Sequence, residues 1–206
     1  MSKVGYFWQQ SWLLIVSAFC FGLLMAVTNA SLSPRIEQNK AAKLNALMTT
    51  LLPQAKSFEA ADPGMEIELG PGKKEPIQVY KALSETRDCV GWSFKISGAG
   101  FADKIEMVVA VDKDFKALAG FSVLTCSETP GFGDRMKGDE FRNQFVGAPA
   151  TGLRLAKGGD RARIDDEIVA ITGATVTSEA VVATFNRYLE KIRQQVAAKG
   201  WISHGG

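Results

Sequence analysis

Between Val4 and Pro34 the chain carries no charged side chain. Residues 12–27 of that stretch are almost wholly apolar, and residues 28–32 can extend the run. As a helix, residues 11–32 would reach about 30 Å at 1.5 Å per residue, the thickness of a bilayer's hydrocarbon core. Tyr6, Phe7, Trp8 and Trp12 stand at its start, where amphipathic rings belong at a membrane interface. A retained single-pass anchor is expected over 11–32, preceded by a short cytoplasmic N-terminus over 1–10. The competing reading is a cleaved signal peptide, with Lys3 as its basic start and Thr28-Asn29-Ala30 as its cleavage site. The apolar run is long for that role. Cys20 follows Phe19, too bulky for a lipoprotein site, so a membrane-buried thiol is expected there. Lys3 precedes the span while Arg35, Lys40 and Lys43 follow it, a count that mildly opposes export. Long following domains translocate largely regardless of such charge, and an exported domain is the expectation.

Lys3 is the only charged residue ahead of Arg35, so the other charges of a chain with 24 Lys+Arg and 22 Asp+Glu all lie in residues 35–206. With a formal charge of +2 among 206 residues, no basic excess exists to neutralise phosphates, which argues against nucleic-acid binding. The one histidine is His204. A Ser-His-Asp enzyme, a His-ligated metal site or a His general base would have to rest on that near-terminal residue. Neither a metal site nor a side-chain catalyst is expected.

The 46 % apolar content suits a globular domain. Residues 34–52 read as a helix, with Pro34 in its first turn, Ile36, Leu44, Leu47, Met48, Leu51 and Leu52 at near-helical spacing, and Pro53 as its stop. It can also continue the membrane helix outward. Together with a linker it makes a stalk over 33–60, followed by a folded domain over 61–206. Residues 77–83, 90–97, 105–112 and 117–125 are rich in Val, Ile, Phe and Trp and read as strands, the last two joined by a hairpin near 111–115. Residues 147–166 predict loops with one short strand. Val181, Val182, Phe185, Tyr188, Leu189, Ile192 and Val196 form the stripe of a final helix. Helix, then an antiparallel-rich sheet, then helix defines an α+β class.

Cys89 and Cys126 lie in the domain without CxxC context. They are either buried free thiols or, in an exported domain, one disulfide. Two further segments hold chemistry. In residues 168–179 an apolar run enters a tight turn at Gly173, and a helix is expected to begin near Thr177 or Ser178, either a good N-cap, with Glu179 at the positive end of its dipole. The hydroxyls of Thr172, Thr175, Thr177 and Ser178 beside unpaired N–H groups form a ready anion site, although caps alone would also explain them. In residues 125–134, Pro130-Gly131 fits the centre of a type II turn, and Gly133 lets backbone N–H groups approach a planar ligand.

Taken together, Thr172-Gly173-Ala174-Thr175-x-Thr177-Ser178 and Glu128-Thr129-Pro130-Gly131-x-Gly133 resemble the RnfG/NqrC family of covalent FMN-binding domains, from Rnf and Na+-translocating NADH:quinone reductase complexes. The resemblance covers most of the chain: anchor, stalk, the Gly100–Ile105 entry to a strand, both motifs and the last helix. It implies one FMN per chain, joined by a phosphoester to Thr175 by a separate flavin transferase, with Thr172, Gly173 and Ala174 shaping the turn and Thr177 a second hydroxyl or a cap. It places the loop of Glu128, Thr129, Pro130 and Gly131 against the flavin ring, with Glu128 either a proton partner or a turn-stabilising or solvated carboxylate. The family's usual Asp three residues before the first hydroxyl is Val169 here. The implied role is electron transfer in an ion-translocating complex, with integral-membrane and iron–sulfur or flavin subunits as partners. The implied location is the bacterial inner membrane, FMN domain on the periplasmic side. The short chain and Gly133-Asp134-Arg135 look more like RnfG than NqrC. An NqrC-like subunit, or an anchored binding module without redox activity, are the alternatives.

Overall fold

The computed structural model describes residues 3–61, 65–70 and 72–202, and His204 lies outside them. The chain divides into two compact units, Met1–Lys43 and Leu44–Gly206. The described residues of the first belong to α1, a helix over Lys3–Leu51. From Trp12 to Ile36 its apolar side chains, among them Trp12, Leu14, Phe19, Phe21 and Leu24, are exposed. Among the described residues this is the one helix long and apolar enough to cross a membrane. Pro34 does not open a separate helix but sits inside α1. The missing N–H removes one bond of the ladder, a local cost that unbroken helical bonding on both sides can carry. One turn back, the Ser33 hydroxyl donates to the Asn29 carbonyl at 2.7 Å.

The second unit is built on an antiparallel sheet of β1 (Ser57–Ala60), β4 (Val79–Leu83), β5 (Cys89–Ala99), β6 (Lys104–Asp112) and β7 (Leu118–Thr125), in that spatial order. The four strands read from β-branched and aromatic runs are β4 to β7. Asp112 closes the β6–β7 hairpin, its Oδ1 accepting from the N–H groups of Lys116 and Ala117 at 2.6 and 3.1 Å. One face of the sheet presents Trp92, Phe94, Ile96, Met107, Val109 and Phe121 to α3 (Thr175–Ala198), whose buried stripe is the one its sequence period defines. Phe185 of α3 meets Phe121 and Phe145 at 5.4 and 4.9 Å between ring centroids.

The opposite face is lined by small residues. A Cβ on Gly91 would come within 3.1 Å of the Leu52 side chain, and Leu52, Ala55, Ala82 and Ala110 form a second apolar cluster. That close approach buries Met48 and Leu52 and carries the chain directly into β1. The folded unit therefore starts within the stretch read as stalk and linker, ahead of residue 61. Two short pairs complete it: the hairpin of β2 (Glu66–Gly70) and β3 (Lys73–Pro76), and the parallel pair of β8 (Arg154–Ala156) and β9 (Glu167–Val169).

Register separates the two domain cysteines. Thr125, next to Cys126, pairs with Glu106, which pairs with Ser97, eight residues along β5 from Cys89. At about 3.3 Å per residue that is roughly 26 Å, far beyond the reach of a disulfide. Both are half-buried free thiols rather than a bridge. Burial pushes the Cys89 thiol above its ordinary value, which slows it as a nucleophile at neutral pH. Ellman titration in denaturant without reductant should count all three cysteines as thiols. A count of one would contradict this register.

Candidate functional site

Because Ser97, Glu106 and Thr125 share a register line, the loops leaving β5 and β7 emerge at the same end of the sheet. α3 reaches that end by lying close on β5: a Cβ on Gly98 would overlap Thr184 Oγ1. Three segments thus converge, namely residues 100–103, 126–133 and 171–177.

The turn before α3 closes through a hydrogen bond from Ala174 N–H to the Ile171 carbonyl at 2.9 Å. Gly173, at φ +83°, takes the left-handed position that a type II turn needs. The turn delivers the chain straight into helical geometry, and α3 begins at Thr175 behind Ala174. Thr177 and Ser178 are consequently inside the helix and neither is its N-cap. Ser178 Oγ instead donates to the Ala174 carbonyl and accepts from Ile171 N–H, both at 3.0 Å, stitching the turn to the helix. Glu179 falls in the second turn, so no acid occupies the first. The N–H groups of Thr175, Val176 and Thr177 precede any intrahelical acceptor and meet a helix start that its own sequence leaves uncompensated, a favourable place for an anion.

Glu128 joins the three segments. It is 6 % exposed. Its Oε2 accepts from the Thr177 hydroxyl at 2.7 Å and its Oε1 from Ala102 N–H at 3.0 Å. Burial and these two bonds go against a solvated carboxylate and suit a turn-stabilising one. Glycine makes room for it, since a Cβ on Gly133 would lie 2.6 Å from Oε2 and one on Gly100 would overlap Oε1. Pro130-Gly131 forms the expected type II turn, with Phe132 N–H donating to the Thr129 carbonyl at 3.2 Å and Gly131 at φ +78°.

Around this clamp lies a cavity of about 470 Å3, lined by Phe101, Glu128, Thr129, Phe132, Gly133, Gly173, Ala174, Thr175, Val176 and Thr177. The predicted residues Glu128, Thr129, Gly173, Ala174, Thr175 and Thr177 come together in it. Thr172, Pro130 and Gly131 do not line it: they shape the turns that present the others. Sequence reasoning missed Phe101, Phe132 and Val176 as lining, whereas Gly133, read as giving a ligand close backbone approach, does line it. Phe101 and Phe132 are 67 % and 55 % exposed, and the available signal was an aromatic beside glycine in a loop, Gly100-Phe101 and Gly131-Phe132-Gly133. Exposed rings at a cavity suit stacking on a planar ligand. Volume, aromatic faces and a free helix start fit a flavin mononucleotide, ring and phosphate together.

Residues 100–190 match the FMN-binding domain family, a segment that contains every residue lining the cavity. The crystal structure of Shewanella oneidensis NqrC shares the fold, with a TM-score of 0.56 at 22 % identity over 71 % of this chain and 73 % of that one. Fold and site define an FMN-binding domain behind an apolar N-terminal helix. Along nearly its whole length the chain is also similar to the G subunit of the ion-translocating oxidoreductase complex of Methanosarcina acetivorans, 28 % identical over 89 % of this chain and 92 % of the relative. The corresponding protein of Cereibacter sphaeroides is 30 % identical over 85 % and 77 %. The chain belongs to the RnfG family, the G subunits of ion-translocating oxidoreductase complexes.

Proposed function

We propose that this chain is the electron-transfer subunit of a membrane-bound, ion-translocating oxidoreductase of the Rnf type, carrying one FMN as a phosphoester of Thr175. One observation carries the choice of residue. Of the two threonine hydroxyls at the start of α3, Thr175 is exposed at the cavity, whereas the Thr177 proton is held by buried Glu128. FMN, when bound, supplies one- and two-electron chemistry that no side chain here offers. The protein's part is to hold and orient. The N–H groups opening α3 offset the phosphate charge, Phe101 and Phe132 present ring faces, and the Glu128 clamp keeps both loops against the helix.

In this reading residues 11–32 anchor the chain in the bacterial inner membrane, residues 33–43 lead to the folded unit that begins at Leu44, and that unit faces the periplasm. A separate flavin transferase loads the FMN there, and integral-membrane and iron–sulfur or flavin subunits exchange electrons with it. Intact mass of the full chain co-expressed with a flavin transferase should show one FMN per chain. Protease added to sealed spheroplasts should digest the domain. An unmodified mass in the presence of active transferase would sink the covalent reading, and a protected domain the orientation.

A further inference from the structure

β9 pairs with β8 along one side only, so the backbone running from it into the turn needs other partners. Side chains supply them. Gln144 bonds Val169 twice, its Nε2 donating to the carbonyl at 3.2 Å and its Oε1 accepting from the N–H at 2.7 Å. Arg161 Nη2 donates to the Ala170 carbonyl at 3.1 Å. Ser178 takes the Ile171 N–H, and Arg135 Nη1 donates to the Thr172 carbonyl at 3.2 Å. Glu140 stands between the two arginines, paired with Arg161 and 3.9 Å from Arg135 Nη2.

Arg135 follows Gly133 and Asp134, and unlike Gly133, which lines the cavity, it is left without a role by the electron-transfer reading. Its side chain is 45 % exposed and that of Glu140 63 %, so the ion pair between them adds little to stability. What the guanidinium does add is direction. It holds the carbonyl of the residue that precedes Gly173, two positions before the α3 start, in a turn whose geometry sets where Thr175 Oγ1 points.

We propose that Arg135 is a positioning residue for covalent flavin attachment, holding the 171–174 turn through the Thr172 carbonyl with Glu140 and Arg161 behind it. The inference rests on Thr175 as the attachment residue. In that step the bond from Thr175 Oγ1 to the flavin-side phosphorus of a flavin dinucleotide forms and the pyrophosphate bond breaks. The nucleoside monophosphate leaves, and the hydroxyl proton passes to that departing phosphate or to solvent.

The test uses the full-length chain in detergent, a purified flavin transferase and flavin adenine dinucleotide. Initial labelling rates are read by in-gel fluorescence and intact mass, with Tm measured in parallel. Arg135→Ala should lower kcat about tenfold or more, the scale on which a displaced reacting group loses rate, with KM for the acceptor within about twofold and Tm nearly unchanged. Arg135→Lys, which keeps a donor and the charge but not the fork, should fall between wild type and Ala. Equal kcat in all three proteins overturns the proposal, as does a loss carried by KM, which would make Arg135 a transferase contact. Should the Ala variant unfold, Lys decides: reduced kcat at wild-type Tm supports the proposal and unchanged kcat overturns it. An unlabelled wild type sinks the attachment reading itself. A labelled wild type with unaffected variants sinks only the role of Arg135.

Discussion

Thr175→Ala, produced with an active flavin transferase, should lose the fluorescent band on a denaturing gel completely while remaining folded. The loss is all-or-none because the variant has no hydroxyl at the cavity-facing start of α3, and the neighbouring one is committed elsewhere: Thr177 donates to Glu128 at 2.7 Å inside the protein. Stability should change by no more than about 0.5 kcal/mol, because Thr175 is exposed and Ala is a good helix residue. Thr175→Ser should keep the label. Thr177→Val should show the opposite pattern, retaining the band but losing about 1–3 kcal/mol, since buried Glu128 then lacks one of its donors. Fluorescence persisting in Thr175→Ala and vanishing in Thr177→Val would move the attachment to Thr177 and require the Glu128 bond to open.

Hydrophobic patterning made α3 and β4 to β7 legible, as a helical repeat along the stripe that α3 buries and as runs of Val, Ile, Phe and Trp in the strands. It did not reveal β1, β2 and β3. Their sequences, Ser57–Ala60, Glu66–Gly70 and Lys73–Pro76, are short: β1 and β3 are largely polar and owe their form to pairing, and β2 buries Ile67 fully, too brief a pattern to stand out. At Pro34 the local rule about helix starts lost to helical sequence on both sides, and the alternative of one continuous helix is the one the structure has. At the site, the threonine and Pro-Gly motifs located the cavity. The helix start was displaced because Gly173 enters α3 without needing a side-chain cap. The roles of Phe101 and Arg135 depend on which loops the sheet register brings to one end, and that is long-range information no local pattern holds.

That dependence can be tested through two glycines, whose variants should have the largest effect on stability at the site. Gly133→Ala places a Cβ 2.6 Å from Glu128 Oε2 and 2.8 Å from Thr177 Oγ1. Gly100→Ala overlaps Glu128 Oε1 and also lies 2.7 Å from the Asp103 carbonyl. Each should cost about 1–3 kcal/mol in denaturant unfolding, the usual range for overpacking, and displace the loop from the cavity. Their partners differ in kind, and a double-mutant cycle separates them. Glu128→Ala alone strands the Thr177 hydroxyl and the Ala102 N–H. In that background Gly133→Ala should cost markedly less than in wild type, a coupling of about 1–2 kcal/mol, because the contact with Oε2 is gone and Thr177 can rotate, leaving only the Glu128 Cβ at 3.0 Å. Gly100→Ala should keep most of its cost, because the Asp103 carbonyl is backbone and already accepts from Gly100 N–H at 2.8 Å. Strict additivity at position 133 would mean that glycine is required there for some reason other than the buried carboxylate, and the three-segment clamp would lose its main support.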